Sequence, residues 1–276
     1  MLYLTDIRIY PIKSLGGISL TESTVEKEGL RHDRRWLLIT PEGRFITQRA
    51  HPHMALIDVA LADDSLYVWH RHRPDDRLEI GLNEVTEETL SVTIWNDTVM
   101  AAAVGDFADR WLSQTLGFPC RLVRLTQHTR RAVDPDYARP GDEVSFADGY
   151  PMLLLGQASL DELNRRLAAP LEMLRFRPNL IVSGSLPHEE DTWYQFRIGE
   201  TSLLGVKPCA RCVLTTIDPQ TGEQGREPLR TLATYRNWNH KILFGQNVIP
   251  ADGQGIVRVG DAVEILEQRP ARLSFP

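Results

Sequence analysis

Short apolar runs, some alternating with polar residues and some continuous, recur through the first 105 residues at 2–10, 36–40, 55–61, 65–70, 90–95 and 99–104. Polar or Gly/Pro-containing turns separate them, a rhythm that predicts strands at the spacing of a sandwich or barrel. The period then changes. Residues 107–116 read as a helix, with Asp106 as N-cap, Phe107, Trp111 and Leu112 on one side and Gly117 as the stop. Ser159-Leu160-Asp161-Glu162 has the form of a capping box, followed at helical spacing by Leu163 and Leu167. A further helix is expected near Pro228, with Leu229 and Leu232 inward. The remaining runs, 180–182, 192–198, 201–206, 213–217 and 256–266, read as strands. The pattern predicts a mainly β, α+β chain with a few helices. A loop-like segment with His128, Asp134, Pro135, Pro140 and Gly141 marks the change between two closely packed parts, taken as residues 1–120 and 121–270.

Composition narrows the classes of partner. The 276 residues suffice for a sizeable core, and 42% hydrophobic with 25% charged residues is ordinary for a globular chain. A formal net charge of -6 lacks the basic footprint of a nucleic-acid binder, which leaves small molecules or proteins as partners. Three cysteines do not make a disulfide framework, so a reducing cytoplasm is the expected location. The start of the chain lacks a basic stretch leading into an apolar one, and no run approaches the length of a membrane span. Neither secretion nor membrane insertion is expected.

Two of those cysteines sit in Pro208-Cys209-Ala210-Arg211-Cys212. Lys207 and Arg211 place positive charge beside the pair, which favours a thiolate, a soft donor for redox-active metals. Four uses of the pair compete. The β-branched Val213-Leu214-Thr215-Thr216-Ile217 reads as a strand opened by Cys212, whereas a thioredoxin-like pair needs a helix N-terminus. A structural zinc site needs four ligands, and the other cysteine is the distant Cys120. The histidine pairs His51/His53 and His70/His72 have no carboxylate or thiol neighbours to complete a site. Two buried thiols at an accidental spacing, or one thiolate binding a metal whose other ligands come from a cofactor, stay open. The polar residues elsewhere have plain alternatives as well. Lys13-Ser14-Leu15-Gly16-Gly17 could be a polar turn, Arg31 to Arg35 a solvated ion-pair face, and Arg177 a snorkelling side chain.

Pro11-Ile12-Lys13-Ser14, Asp33-Arg34-Arg35-Trp36, Phe176-Arg177-Pro178-Asn179, Cys209 to Asp218 and Phe244-Gly245-Gln246-Asn247 occur together and in this order. In this the chain resembles MOSC-domain proteins, specifically the branch with an N-terminal MOSC β-barrel domain that includes the mitochondrial amidoxime-reducing component and its bacterial relatives. The resemblance implies a β-barrel-like MOSC core behind a β-rich N-terminal domain. It also implies molybdenum cofactor (Mo-molybdopterin), with Cys212 as metal ligand and catalytic centre. Lys13, Ser14 and Arg34, then Arg177 and Asn179, then Ala210 and Arg211 match the family's cofactor-binding positions; Gly149, Tyr150 and Asn247 sit where the family also contacts the cofactor. The implied activity is an oxidoreductase that reduces small N-hydroxylated substrates such as amidoximes. No cysteine follows Cys212 to build an iron–sulfur cluster, so electrons are expected from a separate electron-transfer protein, a ferredoxin-type or reductase system. The alternative is a sulfur (persulfide) or molybdenum-cofactor carrier protein.

Overall fold

In the first strand, Tyr3–Ile9, the side chains of Leu4, Ile7 and Ile9 are all fully buried, a spacing that strict alternation forbids. The strand shifts register against Leu180–Ser183 between Leu4 and Asp6, and this irregularity turns the later residues over so that both ends feed one core. The computed structural model describes residues 1–271.

The largest sheet runs in the order Val263–Gln268, Trp193–Ile198, Thr201–Ala210, Lys241–Pro250, Met152–Gly156, Leu180–Ser183, Tyr3–Ile9, Ile18–Leu20, with Asn237–Trp238 added beside Lys241–Pro250. Its neighbours are antiparallel except Met152–Gly156 with Leu180–Ser183, which are parallel and joined through the helix Gln157–Asn164. A second sheet orders Trp36–Ile39, Arg121–Arg124, Asp97–Ala103 and Thr89–Ile94. Two three-stranded sheets complete the fold: Gly255–Arg258, Glu22–Glu26, Gly29–Leu30, and Ile57–Ala62, Ser65–His70, Arg73–Gly81. The chain is therefore α+β and mostly β, but among the described residues its sheets do not close into a barrel. Among the described residues no helix is long and apolar enough to cross a membrane.

Several cores hold these layers, and two of them are the largest. Trp36, Leu38, Met54, Leu66, Leu112 and Cys120 belong to one; Leu4, Ile7, Trp193, Phe196, Val248 and Val257 belong to the other. Strands from the start of the sequence cross into the later half. Tyr3–Ile9 lies inside the large sheet, and Trp36–Ile39 pairs with Arg121–Arg124. The turns after Tyr3–Ile9 and before Trp36–Ile39 carry Lys13 and Arg34, so this crossing brings early residues to late ones.

Several elements differ from their sequence patterns. Residues 213–217 form no strand. Val213–Thr216 is a 3-10 turn in which the Thr215 hydroxyl donates to the Cys212 carbonyl at 3.0 Å and that of Thr216 to the Val213 carbonyl at 2.7 Å. Local hydroxyl bonds satisfy the backbone there and override β-propensity. The first helix is Asp106–Leu116 with Gly105, not Asp106, at the N-cap, and it buries Ala108, Leu112 and Leu116 while Phe107 stays exposed. The second begins at Gln157, two residues ahead of the capping-box serine, because the Ser159 hydroxyl is engaged by Glu190. The run 256–266 splits into Gly255–Arg258 and Val263–Gln268 around Gly260, whose φ of 96° turns the chain.

Candidate functional site

The strand Thr201–Ala210 ends beside Lys241–Pro250, with Ala210 opposite Leu243, and the chain then leaves the sheet. Arg211 and Cys212 sit in that exit. Arg211 donates from Nη2 to the Phe176 carbonyl at 2.6 Å and from Nη1 to the Cys209 sulfur at 3.2 Å. The Cys212 sulfur faces a different cation, accepting from Arg49 Nε at 3.2 Å. Each thiol thus has its own guanidinium.

Three early or central residues reach the same place through left-handed backbone: Ser14 at φ 70°, Arg34 at φ 48° and Arg177 at φ 53°. Non-glycine residues pay for this conformation, and three of the nine described residues that adopt it line this cleft. Arg34 is locked by the fully buried Asp33, which accepts from its Nη1 at 2.6 Å; the same nitrogen reaches Asn179 Oδ1 at 3.0 Å, and Nη2 reaches the Arg177 carbonyl at 3.2 Å. Asn179 in turn donates to the Arg8 carbonyl and accepts from the Leu153 amide. The arginines at 34 and 177 stack on the buried Tyr10 ring, 4.6 and 4.0 Å from its centroid. Burial pushes the Arg177 pKa down to about 10, which leaves it charged at neutral pH.

Lys13 is 5% exposed, and its ammonium donates to the Phe146 carbonyl and to Asp148 Oδ1, each at 2.6 Å. Burial lowers its pKa to about 8 against the opposing pull of Asp148. The second oxygen of Asp148 accepts from Arg49 Nη2 at 2.6 Å. Burial disfavours the Asp148 charge, but Lys13 and Arg49 outweigh it and hold this carboxyl well below the usual carboxylate range. About half of the Asp148 side chain stays open to solvent at the cleft mouth. Arg131, itself buried, braces the loop by donating to the carbonyls of Ser145 and Asp148.

These groups line one cleft of about 870 Å³, counted out to its open mouth. All the residues expected from the motifs border it: Lys13, Ser14 and Arg34 from the early turns, Gly149 and Tyr150, Arg177 and Asn179, Ala210, Arg211 and Cys212, and Asn247. Arg49 and Asp148 border it too, and sequence reasoning missed both. Arg49 lies in no recognised motif, and the available signal for Asp148 was its place directly before Gly149. Cys120 is elsewhere, buried in a core, where desolvation raises its thiol pKa to about 11.

Residues 1–119 match the MOSC N-terminal beta barrel domain, and residues 141–264 match the MOSC domain. The chain belongs to the MOSC-domain family that carries this N-terminal domain. Over 283 residues it is 36% identical to mitochondrial amidoxime-reducing component 1 of Mus musculus, spanning 96% of this chain and 82% of that protein. It is also 32% identical to molybdenum cofactor sulfurase of Oryza sativa subsp. japonica, over 88% of this chain and 32% of the rice protein. Among solved structures, the crystal structure of the YUAD protein from Bacillus subtilis covers 96% of this chain and 95% of its own, at 13% identity and a TM-score of 0.44.

The cleft fits an anionic pterin cofactor of molybdenum. Arg177 Nη2, Arg211 Nε and the Tyr150 hydroxyl are buried without a hydrogen-bond partner, an arrangement that is costly unless acceptors from a ligand meet them. Phosphate oxygens and pterin heteroatoms are such acceptors. Among the described residues no three His, Cys, Asp or Glu side chains gather to hold a metal. A metal held mainly by its cofactor would need one soft thiolate from the protein, and Cys209 and Cys212 both border the cleft.

Proposed function

We propose that this protein is a molybdenum-cofactor-dependent reductase of small N-hydroxylated compounds, supplied with electrons by a separate electron-transfer protein. The observation that carries the proposal is the convergence of a guanidinium-held thiol, Cys212, with unpaired cationic donors from distant parts of the chain in one open cleft. Its relatedness to an amidoxime-reducing component over nearly its whole length supports the substrate class.

The bound cofactor supplies the two-electron chemistry: an N-hydroxyl compound, two electrons and two protons give the amine-type product and water. The protein's part is electrostatic and geometric. Lys13, Arg34, Arg177 and Arg211 offset the cofactor's negative charge, and Tyr150 offers a hydroxyl at the cleft wall. Cys212 is the metal ligand, and Arg49 holds its sulfur. Asp148 stays ionised between Lys13 and Arg49, so it accepts hydrogen bonds at the mouth and does not act as the acid.

A persulfide or cofactor carrier is the second reading. It is favoured by Cys209, which borders the same cleft as Cys212, and by the sulfurase relative. Molybdenum content and N-hydroxylated-substrate reduction, measured on wild type and Cys212→Ser from a cofactor-proficient host, separate the two. A reductase contains near-stoichiometric metal that Cys212→Ser loses and Cys209→Ser keeps, and it turns over with a chemical reductant. Persulfide on Cys212 with little turnover would establish the carrier instead, and equal metal in wild type and Cys212→Ser would sink the ligand assignment.

A further inference from the structure

A second cavity, about 700 Å³ out to its mouth, adjoins the cofactor cleft and shares Arg177 and Leu214 with it. Arg8, Arg71, Arg175 and Arg177 border it against a single carboxylate, Asp58. Two of the four guanidinium groups are spent. Arg71 meets both Asp58 oxygens, at 3.0 and 2.7 Å, and donates to the Pro219 carbonyl; Arg175 is held by Asp218 at 2.6 Å.

The other two are not. Arg8 uses Nε on Asp6 at 2.6 Å, and its terminal nitrogens have no partner among the described residues. Arg177 donates from Nη1 to the Leu15 carbonyl, while Nη2 is buried and unpaired. Gln48, which borders the cavity at 4% exposure, makes no side-chain hydrogen bond among the described residues. Its amide is therefore free to bond a ligand in that cavity. Asp58, the one acidic group in the lining, is saturated by Arg71, so what is left over is donors and positive charge. An oxyanion with several acceptor oxygens uses both.

We propose that this second cavity binds an oxyanion of the phosphate type, held by Arg8 and Gln48 beside the wall that Arg177 shares with the cofactor cleft. None of the motifs that define the cofactor cleft contains Arg8 or Gln48. The proposal is independent of the reductase reading, because its test uses the cofactor-free full chain. Inorganic phosphate is titrated calorimetrically at fixed ionic strength into wild type, Arg8→Gln, Gln48→Leu and, as the cleft control, Lys13→Gln. The thermal midpoint of each variant reports that it is folded.

Wild type and Lys13→Gln should share the phosphate component of this cavity, Lys13→Gln weakening only phosphate held in the cofactor-free cleft. The cavity's component should be about tenfold or more weaker in Arg8→Gln and in Gln48→Leu, the loss of one charge-assisted bond or amide bond each. Repeating the titration on cofactor-loaded protein identifies the source. Retained phosphate binding means a free oxyanion, whereas phosphate binding lost on loading, with less molybdenum retained by Gln48→Leu, means the cofactor's own phosphate reaches the site. No phosphate binding to cofactor-free wild type, or wild-type affinity in Arg8→Gln and Gln48→Leu, overturns the proposal.

Discussion

Arg49 donates from Nε to the sulfur of Cys212 across 3.2 Å, although 163 residues separate them. The same guanidinium reaches Asp148 at 2.6 Å and lies 4.8 Å from the centroid of the Trp95 ring, so one side chain ties the thiol to the mouth of the cleft. Replacing Arg49 with Gln removes two charge-assisted bonds at once. The expected result is about a tenfold or larger loss of activity and faster release of molybdenum on dilution, since each such bond contributes about 1.5–3 kcal/mol when desolvated. Arg49→Lys, a point charge without the fork, should recover only part of either. Unchanged metal retention in Arg49→Gln would show that the contact does not hold Cys212.

Glu190 gives a pH dependence of opposite sign to the usual carboxylate. It is fully buried, accepts from the Gly156 amide and the Ser159 hydroxyl, and lies beside Asp191, which is paired to Arg236. Burial, and then the Asp191 charge, raise its pKa from 4.5 to about 7. The native state therefore holds this proton more tightly than the unfolded chain does. The stability it contributes is complete below pH 4.5 and is lost as pH rises through about 7, on the order of 1–3 kcal/mol. Thermal unfolding between those limits should fall more steeply with pH for wild type than for Glu190→Gln; parallel curves would remove Glu190 as the cause.

Gly245, within the Phe244 to Asn247 motif, has φ 83°, and a Cβ there would stand 2.9 Å from the Leu154 carbonyl oxygen. Gly245→Ala combines a left-handed backbone with a clash against a neighbouring strand. A loss of about 2 kcal/mol or more is expected, visible as a lowered denaturation midpoint. A midpoint equal to wild type would mean that the strand relaxes without cost.

The cysteines differ sharply in access. Cys120 is 3% exposed with its thiol pKa raised by burial, whereas Cys209 and Cys212 are part-exposed at the cleft. Brief alkylation of the native, cofactor-free protein, followed by mass spectrometry, should label Cys209 and Cys212 and spare Cys120. Labelling of Cys120 at the same rate would contradict its place in the core.

The sequence by itself determined the elements that local chemistry controls. Alternating runs such as Ser65–His70, with Leu66 and Val68 inward, became strands, and the helix Asp106–Leu116 stopped at a glycine in the left-handed region. Motif order also singled out residues that all border one cleft, because side chains suited to a cofactor stand out when they recur in register. Tertiary structure alone decided the rest. Val213–Thr216 turns where β-branched residues spell a strand, since threonine hydroxyls and the exit from the sheet outweigh propensity over so few residues. Tyr3–Ile9 enters a sheet built largely from the second half of the chain, a long-range pairing that no local pattern encodes. Arg49 and Asp148 were silent for the same reason. An arginine in a polar loop carries no signal until folding sets it against Cys212, and its role comes from that contact and not from its neighbours in sequence.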